Sequence, residues 1–303
     1  MNAFRVKVVF RKMPIKLTYH SSIGYHSIRM AIMLRKIIGR FLSQQIARIL
    51  ALLAYATLRK RRRILRENLR HIASDDERLV REAFINFGLS YADFLAIPSM
   101  SKEEILKIGK VEGFFNLDKA LSLGRGAIMV SAHLGNWDLG GCFTTGLGYK
   151  TAAITESHGP GERFFRLYSG MRAKTGMQII RLEDRGSGTK ALEVLRRNGV
   201  LILLGDRDIT KDGVKVNFLG REVSLPKGPA FFSLRTGAPI VTAFFVWNKG
   251  KYLAIMDPMI EFKKSGNLRQ DMRELTQLIA RRMETRIYEY PTQWYVFDMN
   301  WQD

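Results

Sequence analysis

Residues 126–141 read GAIMVSAHLGNWDLGG. Ala127 to Val130 are apolar without a break and follow a glycine, the pattern of a short strand buried on both faces. His133 falls where that strand ends. Gly135 then permits a tight turn, and Asn136 can cap a following helix. VLILLGD (200–206) repeats the form of an apolar run delivered to a polar end. TAAIT (151–155), QIIRL (178–182), PIVTAFFVW (239–247) and KYLAIMD (251–257) read as further strands, and VKVNFLG (214–220) as a weaker one. Helical spacing fills the intervals at 161–176, 189–199 and 226–237, and 268–288 reads as a long final helix. Ser74-Asp75-Asp76-Glu77 and Ser101 to Glu104 have the form of capping boxes. Apolar strands alternating with helices predict an α/β fold with a mostly parallel central sheet covered by helices.

The 303 residues suffice for one large domain or two, and 46% are apolar, which excludes a disordered chain. One cysteine, Cys142, excludes an internal disulfide framework; its apolar context predicts an inert core thiol. The five histidines, His20, His26, His71, His133 and His158, form no metal-ligand spacing. There is no Walker A sequence, no full dinucleotide fingerprint and no Gly-x-Ser-x-Gly, so neither a metal nor a cofactor is expected.

The net charge of +21 is unevenly spread. Residues 1–70 hold 17 Lys and Arg against one acid, Glu67. Residues 41–58, FLSQQIARILALLAYATL, are mostly apolar but interrupted by Gln44, Gln45 and Arg48, and the run Arg59 to Arg63 follows. Residues 1–72 are therefore expected to form a basic membrane-associating segment, lying on an anionic lipid surface or spanning it once, and 73–303 the main domain. No recognition motif or stacking pattern supports a nucleic-acid partner.

Chemistry in a parallel sheet gathers where strands end. Asp138, in the first turn of the expected helix, could reach back to His133. A histidine held by a carboxylate is a general base near neutral pH. With no nucleophile evident, the pair suits direct attack by a substrate hydroxyl that His133 deprotonates.

His133-Leu134-Gly135-Asn136-Trp137-Asp138 resembles the His-x-x-x-x-Asp/Glu motif of the lysophospholipid acyltransferase superfamily. The surrounding sequence is similar to the branch holding the late acyltransferases of lipid A synthesis and the phosphatidylinositol mannoside acyltransferases. Arg66-Glu67-Asn68-Leu69, Thr155-Glu156 with Arg172 and Gly176, Gly205-Asp206-Arg207-Asp208 with Val216 to Gly220, and Pro291 to Tyr295 with Trp301 agree in the same order. Asp298-Met299-Asn300 stands where that branch usually carries basic residues.

The resemblance implies transfer of a fatty acyl group from acyl carrier protein or acyl-CoA to a hydroxyl of a glycolipid or lysolipid acceptor, such as a lipid A intermediate. The place implied is the cytoplasmic face of a bacterial inner membrane. His133 would be the base and Asp138 its partner. Asp206 or Asp208 would support the site, and Glu156 would lie near the acceptor. Arg172, Arg207 or backbone N–H groups at a helix start would stabilise the oxyanion. Phe164, Phe165, Phe231, Phe232 and Trp247 could line an acyl groove. An acyl-ester hydrolase with the same pair, or a non-enzymatic membrane-binding protein, are the alternatives.

Overall fold

The apolar runs become strands and the capped runs helices. A computed structural model describes residues 22–157 and 161–297. His20, His158, 298–300 and Trp301 lie outside the described residues. The helices are α1 (Ser22–Thr57), α2 (Arg59–Ile72), α3 (Glu77–Ala96), α4 (Lys102–Lys107), α5 (Phe114–Leu121), α6 (Trp137–Gly146), α7 (Glu162–Ala173), α8 (Ser187–Arg196), α9 (Gly228–Thr236) and α10 (Leu268–Glu289). The strands are β1 (Gly109–Glu112), β2 (Ala127–Ser131), β3 (Thr151–Thr155), β4 (Gln178–Arg181), β5 (Val200–Leu204), β6 (Val214–Phe218), β7 (Arg221–Leu225), β8 (Ile240–Asn248) and β9 (Lys251–Met256). Seven of them form one sheet in the order β1-β9-β8-β2-β5-β3-β4, while β6 and β7 make a separate hairpin.

The sheet is parallel except between β8 and β9. Those two are joined by Lys249-Gly250, both with positive φ, the backbone that a two-residue hairpin needs. Side chains alternate across the central strands. Ile128, Val130, Leu201 and Leu203 join one core with Leu65 and Leu69 of α2 and Leu275, Ile279 and Met283 of α10. Ala127, Met129, Val200 and Ile202 join the other with Leu139 and Phe143 of α6 and Phe94 of α3. Burial on both faces is why these strands carry no polar residue until they end.

Two local readings change. The cap of α3 is Asp76, whose carboxylate accepts from the Arg78 N–H, and not Ser74; the helix starts later than a box on Ser74 would have it. Ser101 and Glu104 do form the reciprocal box at α4. β1, α5 and β7 add elements that the patterns did not mark.

The helix α1 bends at Gly39, whose backbone is non-helical. Its later half lies along α3. A Cβ on Gly88 would come within 2.9 Å of the Ala51 Cβ, so glycine sets the closeness of the crossing. Arg40 pairs through Nε and Nη2 with the buried carboxylate of Asp93, and Gln44 bonds the same group. Phe41, Leu42, Ile46, Ile49, Leu50 and Leu53 stay exposed. Gly24–Thr57 is long and apolar enough to cross a membrane, and almost none of it is buried.

Candidate active site at the carboxyl end of the sheet

β2 and β5 pair in parallel with Ser131 opposite Leu204, so residues 73 apart share a level. The pairing continues past the strands, since the Gly205 N–H donates to the Ser131 carbonyl. Two residues further on, the same offset sets Asp206 against His133. Asp206 Oδ1 lies 2.8 Å from His133 Nδ1, and Oδ2 accepts the His133 backbone N–H at 2.9 Å. Trp294 Nε1 donates to Oδ2 at 3.0 Å. The carboxylate is fully buried and all its neighbours donate. Burial alone would push its pKa up; the charge of a protonated His133 and these hydrogen bonds outweigh that and hold it below the usual carboxylate range.

The expected partner of His133 was Asp138, and this is corrected. Asp138 sits in the first turn of α6, where its Oδ1 accepts from Arg172 Nε of α7 at 2.7 Å. The His133 ring bonds Asp206 instead. Local spacing brings Asp138 near in sequence, but sheet register brings Asp206 alongside. Arg172 is further fixed with its guanidinium 5.6 Å from the Phe94 ring centre, so it ties α7 to Asp138 and to α3.

The turn after β2 is shaped by contact with β8. Gly135 has φ of 66°, and a Cβ there would lie 2.2 Å from the Phe245 carbonyl oxygen. Asn136 caps α6 through the Leu139 N–H, while its amide donates to the Ser90 carbonyl and toward the Tyr252 hydroxyl. Of the first N–H groups of α6, those of Leu139 and Gly140 are taken by Asn136. Those of Trp137 and Asp138 bond to no described residue. The Trp137 ring meets the imidazole edge-on at 4.9 Å.

A segment just after α10 clasps this turn. Gln293 accepts the Gly135 N–H, the Tyr295 N–H donates to the His133 carbonyl, and the Gln293 amide bonds the Trp247 backbone in both directions. Asn68 of α2 donates to the Val296 carbonyl and holds the segment from the other side. Trp294, quoted above only inside a motif, is thus a part of the site that residue types alone did not mark. No local pattern marks it, because its Nε1–H reaches Asp206 from 88 residues away in the sequence.

The remaining predicted residues separate. β3 lies beside β5 in parallel, so Glu156 ends its strand at the same edge as His133 and Asp206. Arg207 follows Asp206 there and is half-buried. Asp208 turns into its own loop, accepting from the N–H groups of Lys211 and Gly213 and from Ser224 Oγ. Among the described residues, no hydrogen bond joins it to His133. Phe164 and Phe232 are buried, Phe165 and Trp247 half-buried and Phe231 exposed, and of these five Trp247 lines the cavity beside Gly135. Burial pushes the Cys142 thiol up to about 12, which leaves no thiolate for catalysis. Among the described residues no group of three His, Cys, Asp or Glu could hold a metal ion.

An imidazole bonded through Nδ1 to a buried carboxylate leaves Nε2 with a lone pair, the arrangement of a general base. The family model for bacterial lipid A biosynthesis acyltransferases matches residues 15–303. The chain belongs to this family. It is also similar to phosphatidylinositol mannoside acyltransferases. Those of Mycobacterium tuberculosis, strains CDC 1551 / Oshkosh and H37Rv, are 26% identical over 247 residues, 78% of this chain and 76% of theirs. That of Mycolicibacterium smegmatis is 26% identical over 244 residues, 78% of each chain. The protein is therefore an acyltransferase, and the non-enzymatic alternative falls away.

Proposed function

We propose that this acyltransferase moves a fatty acyl chain from an acyl thioester to a lipid hydroxyl, with His133 as general base and Asp206 as its orienting partner. The bond between His133 Nδ1 and Asp206 carries the reading. Nε2 takes the proton of the acceptor hydroxyl as its oxygen attacks the thioester carbonyl. The tetrahedral oxyanion collapses, the C–S bond breaks, and the imidazolium returns the proton to the departing thiolate. The products are an ester and a free thiol. No covalent acyl-enzyme is needed, which agrees with the buried Cys142 thiol being held protonated. The N–H groups of Trp137 and Asp138, at the positive end of α6, are the donors we assign to the oxyanion.

The donor is acyl carrier protein or acyl-CoA. The acceptor is a glycolipid or phospholipid precursor, by likeness to relatives whose name specifies a phosphatidylinositol mannoside. Glu156 and Arg207, at the same sheet edge, bind substrate. The exposed apolar residues of α1 and the basic run Arg59 to Arg63 hold the enzyme on the cytoplasmic face of the plasma membrane. Because one side of α1 is bonded to α3, the helix lies on the bilayer and does not cross it alone.

Purified protein with radiolabelled acyl-CoA or acyl-carrier-protein thioester, tested against lipid A precursors, lysophospholipids and mannosylated phosphatidylinositol, decides. Label in one lipid class with wild type, and not with His133→Ala, is the expected result. Label released only as free fatty acid would make the protein a hydrolase and overturn the reading.

A further inference from the structure

Three residues broke the apolar run at 41–58, namely Gln44, Gln45 and Arg48. In the fold they share a place. All three line a cavity of about 130 Å³ that reaches Gly135 of the catalytic turn and Tyr295 of the clasping segment. A second groove of about 370 Å³ shares Arg48, Leu89 and Trp247 with it and extends outward between α1 and α3, past Ile85, to Arg78 and Arg81. Together they form a path from the surface to the back of the turn that carries His133.

The charges along this path are not all spent. Arg78 is held by Asp76. Glu82 accepts from Thr292 Oγ1 and, at its limit, from the Asn86 amide. Arg48 and Arg81 make no ion pair or hydrogen bond among the described residues, although both border the same groove. Two open guanidinium groups on facing helices suit a phosphate, which each can bind through two N–H groups at once. Their position says which phosphate. Arg48 lies on α1 between Ile46 and Ile49, both exposed and part of the face assigned above to the bilayer. A group bound there sits at head-group depth with its chains beside that face.

We propose that the groove between α1 and α3 binds the head-group phosphate of an anionic lipid through Arg48 and Arg81. The site rests on the reading of the chain as a lipid acyltransferase acting at a membrane. It gives that reading a lipid class, one with a phosphodiester or phosphomonoester beside its acyl chains.

The test compares the full-length protein with Arg48→Gln/Arg81→Gln and with Arg281→Gln/Arg282→Gln, which removes equal charge from the exposed surface of α10. Binding is measured by co-sedimentation with phosphatidylcholine vesicles, with and without phosphatidylinositol, at physiological salt. The groove pair is expected to lose roughly 20-fold in affinity for the phosphatidylinositol vesicles, at the ~5-fold per cation that a surface charge is worth. Its affinity for pure phosphatidylcholine is expected to stay as in wild type, and the α10 pair to bind both as wild type does. Equal losses for the two pairs would mean a diffuse field and overturn the site. So would a rise in the KM of acyl-CoA with vesicle binding unchanged, which would assign the groove to the donor's phosphates. Vesicle binding needs no turnover, so this site and the acyl-transfer reading fail separately.

Discussion

The end of the sheet and the outer face of α1 are built on opposite terms. Around His133, most polar groups of the turn find partners inside the chain, leaving the Trp137 and Asp138 N–H groups open, and Asp206 alone receives three donors. Along α1, large apolar side chains and Arg48 are left open. The first region is held in shape by the chain itself, as a preorganised site must be. The second is complete only when something else covers it. On the proposed reading, one protein divides its work between a preorganised catalytic edge and an open binding face, and the two meet at Gly135 and Tyr295.

If the division is right, changes at the two regions produce different losses. Asp206→Asn should lower kcat by about 10³-fold, since it removes the acceptor that fixes the His133 tautomer, yet leave vesicle binding as in wild type. Steady-state kinetics beside co-sedimentation reads both. Gly135→Ala should cost about 2–3 kcal/mol of folding stability, because the new Cβ meets the Phe245 carbonyl and the backbone has positive φ. Urea unfolding gives the value. Ile46→Ser, Ile49→Ser and Leu53→Ser together should weaken partition into phosphatidylcholine vesicles by roughly 100-fold, at about half of full side-chain burial each, with the rate on soluble substrates unchanged.

Two smaller effects sharpen the picture of the clasp. Trp294→Phe keeps the ring and loses the N–H that Asp206 accepts, so kcat should fall by roughly 10-fold with the Tm only slightly lower. Acid gives the last. A carboxyl whose folded pKa is depressed stabilises the fold above its unfolded value of about 3.9, and that stabilisation is lost as pH falls through the folded value. Wild-type Tm should therefore drop below about pH 4, and the Tm gap between wild type and Asp206→Asn should narrow there. In Trp294→Phe, whose folded value is less depressed, the drop should be shallower and should level off at higher pH. A gap that stays constant down to pH 2.5 would show that Asp206 is not the group responsible.

The central strands were legible because burial on both faces leaves an uninterrupted apolar run, and Val200 to Leu204 is as plain as Ala127 to Val130. His133 was legible for the same reason, as the first ring nitrogen after such a run. Its partner was not. Asp138 is five residues away and Asp206 is 73, and only strand register says which of them touches the imidazole. The resemblance had set Asp206 among the supporting residues without saying how it acts. Asp93 drew no notice, since a lone acid in an amphipathic helix looks solvated; here it is buried and holds Arg40, Gln44 and the Tyr252 hydroxyl. Asp208 misled in the other direction, for its neighbours in the motif say nothing of the loop that uses up its oxygens.

The 73-residue offset between His133 and Asp206 also determines which lengths of chain the enzyme can tolerate. Insertions or deletions in the loops and helices between the end of α6 and β5 leave the pairing alone, and a descendant sequence can gain or lose residues there more readily. A single residue added inside β5 is different. It advances everything after it by about 3.3 Å and sets Gly205 opposite His133; one residue removed sets Arg207 there. The first leaves the imidazole unsupported, and the second puts a cation against it. Changes of length in this family should therefore accumulate outside those few positions, however far the sequences drift.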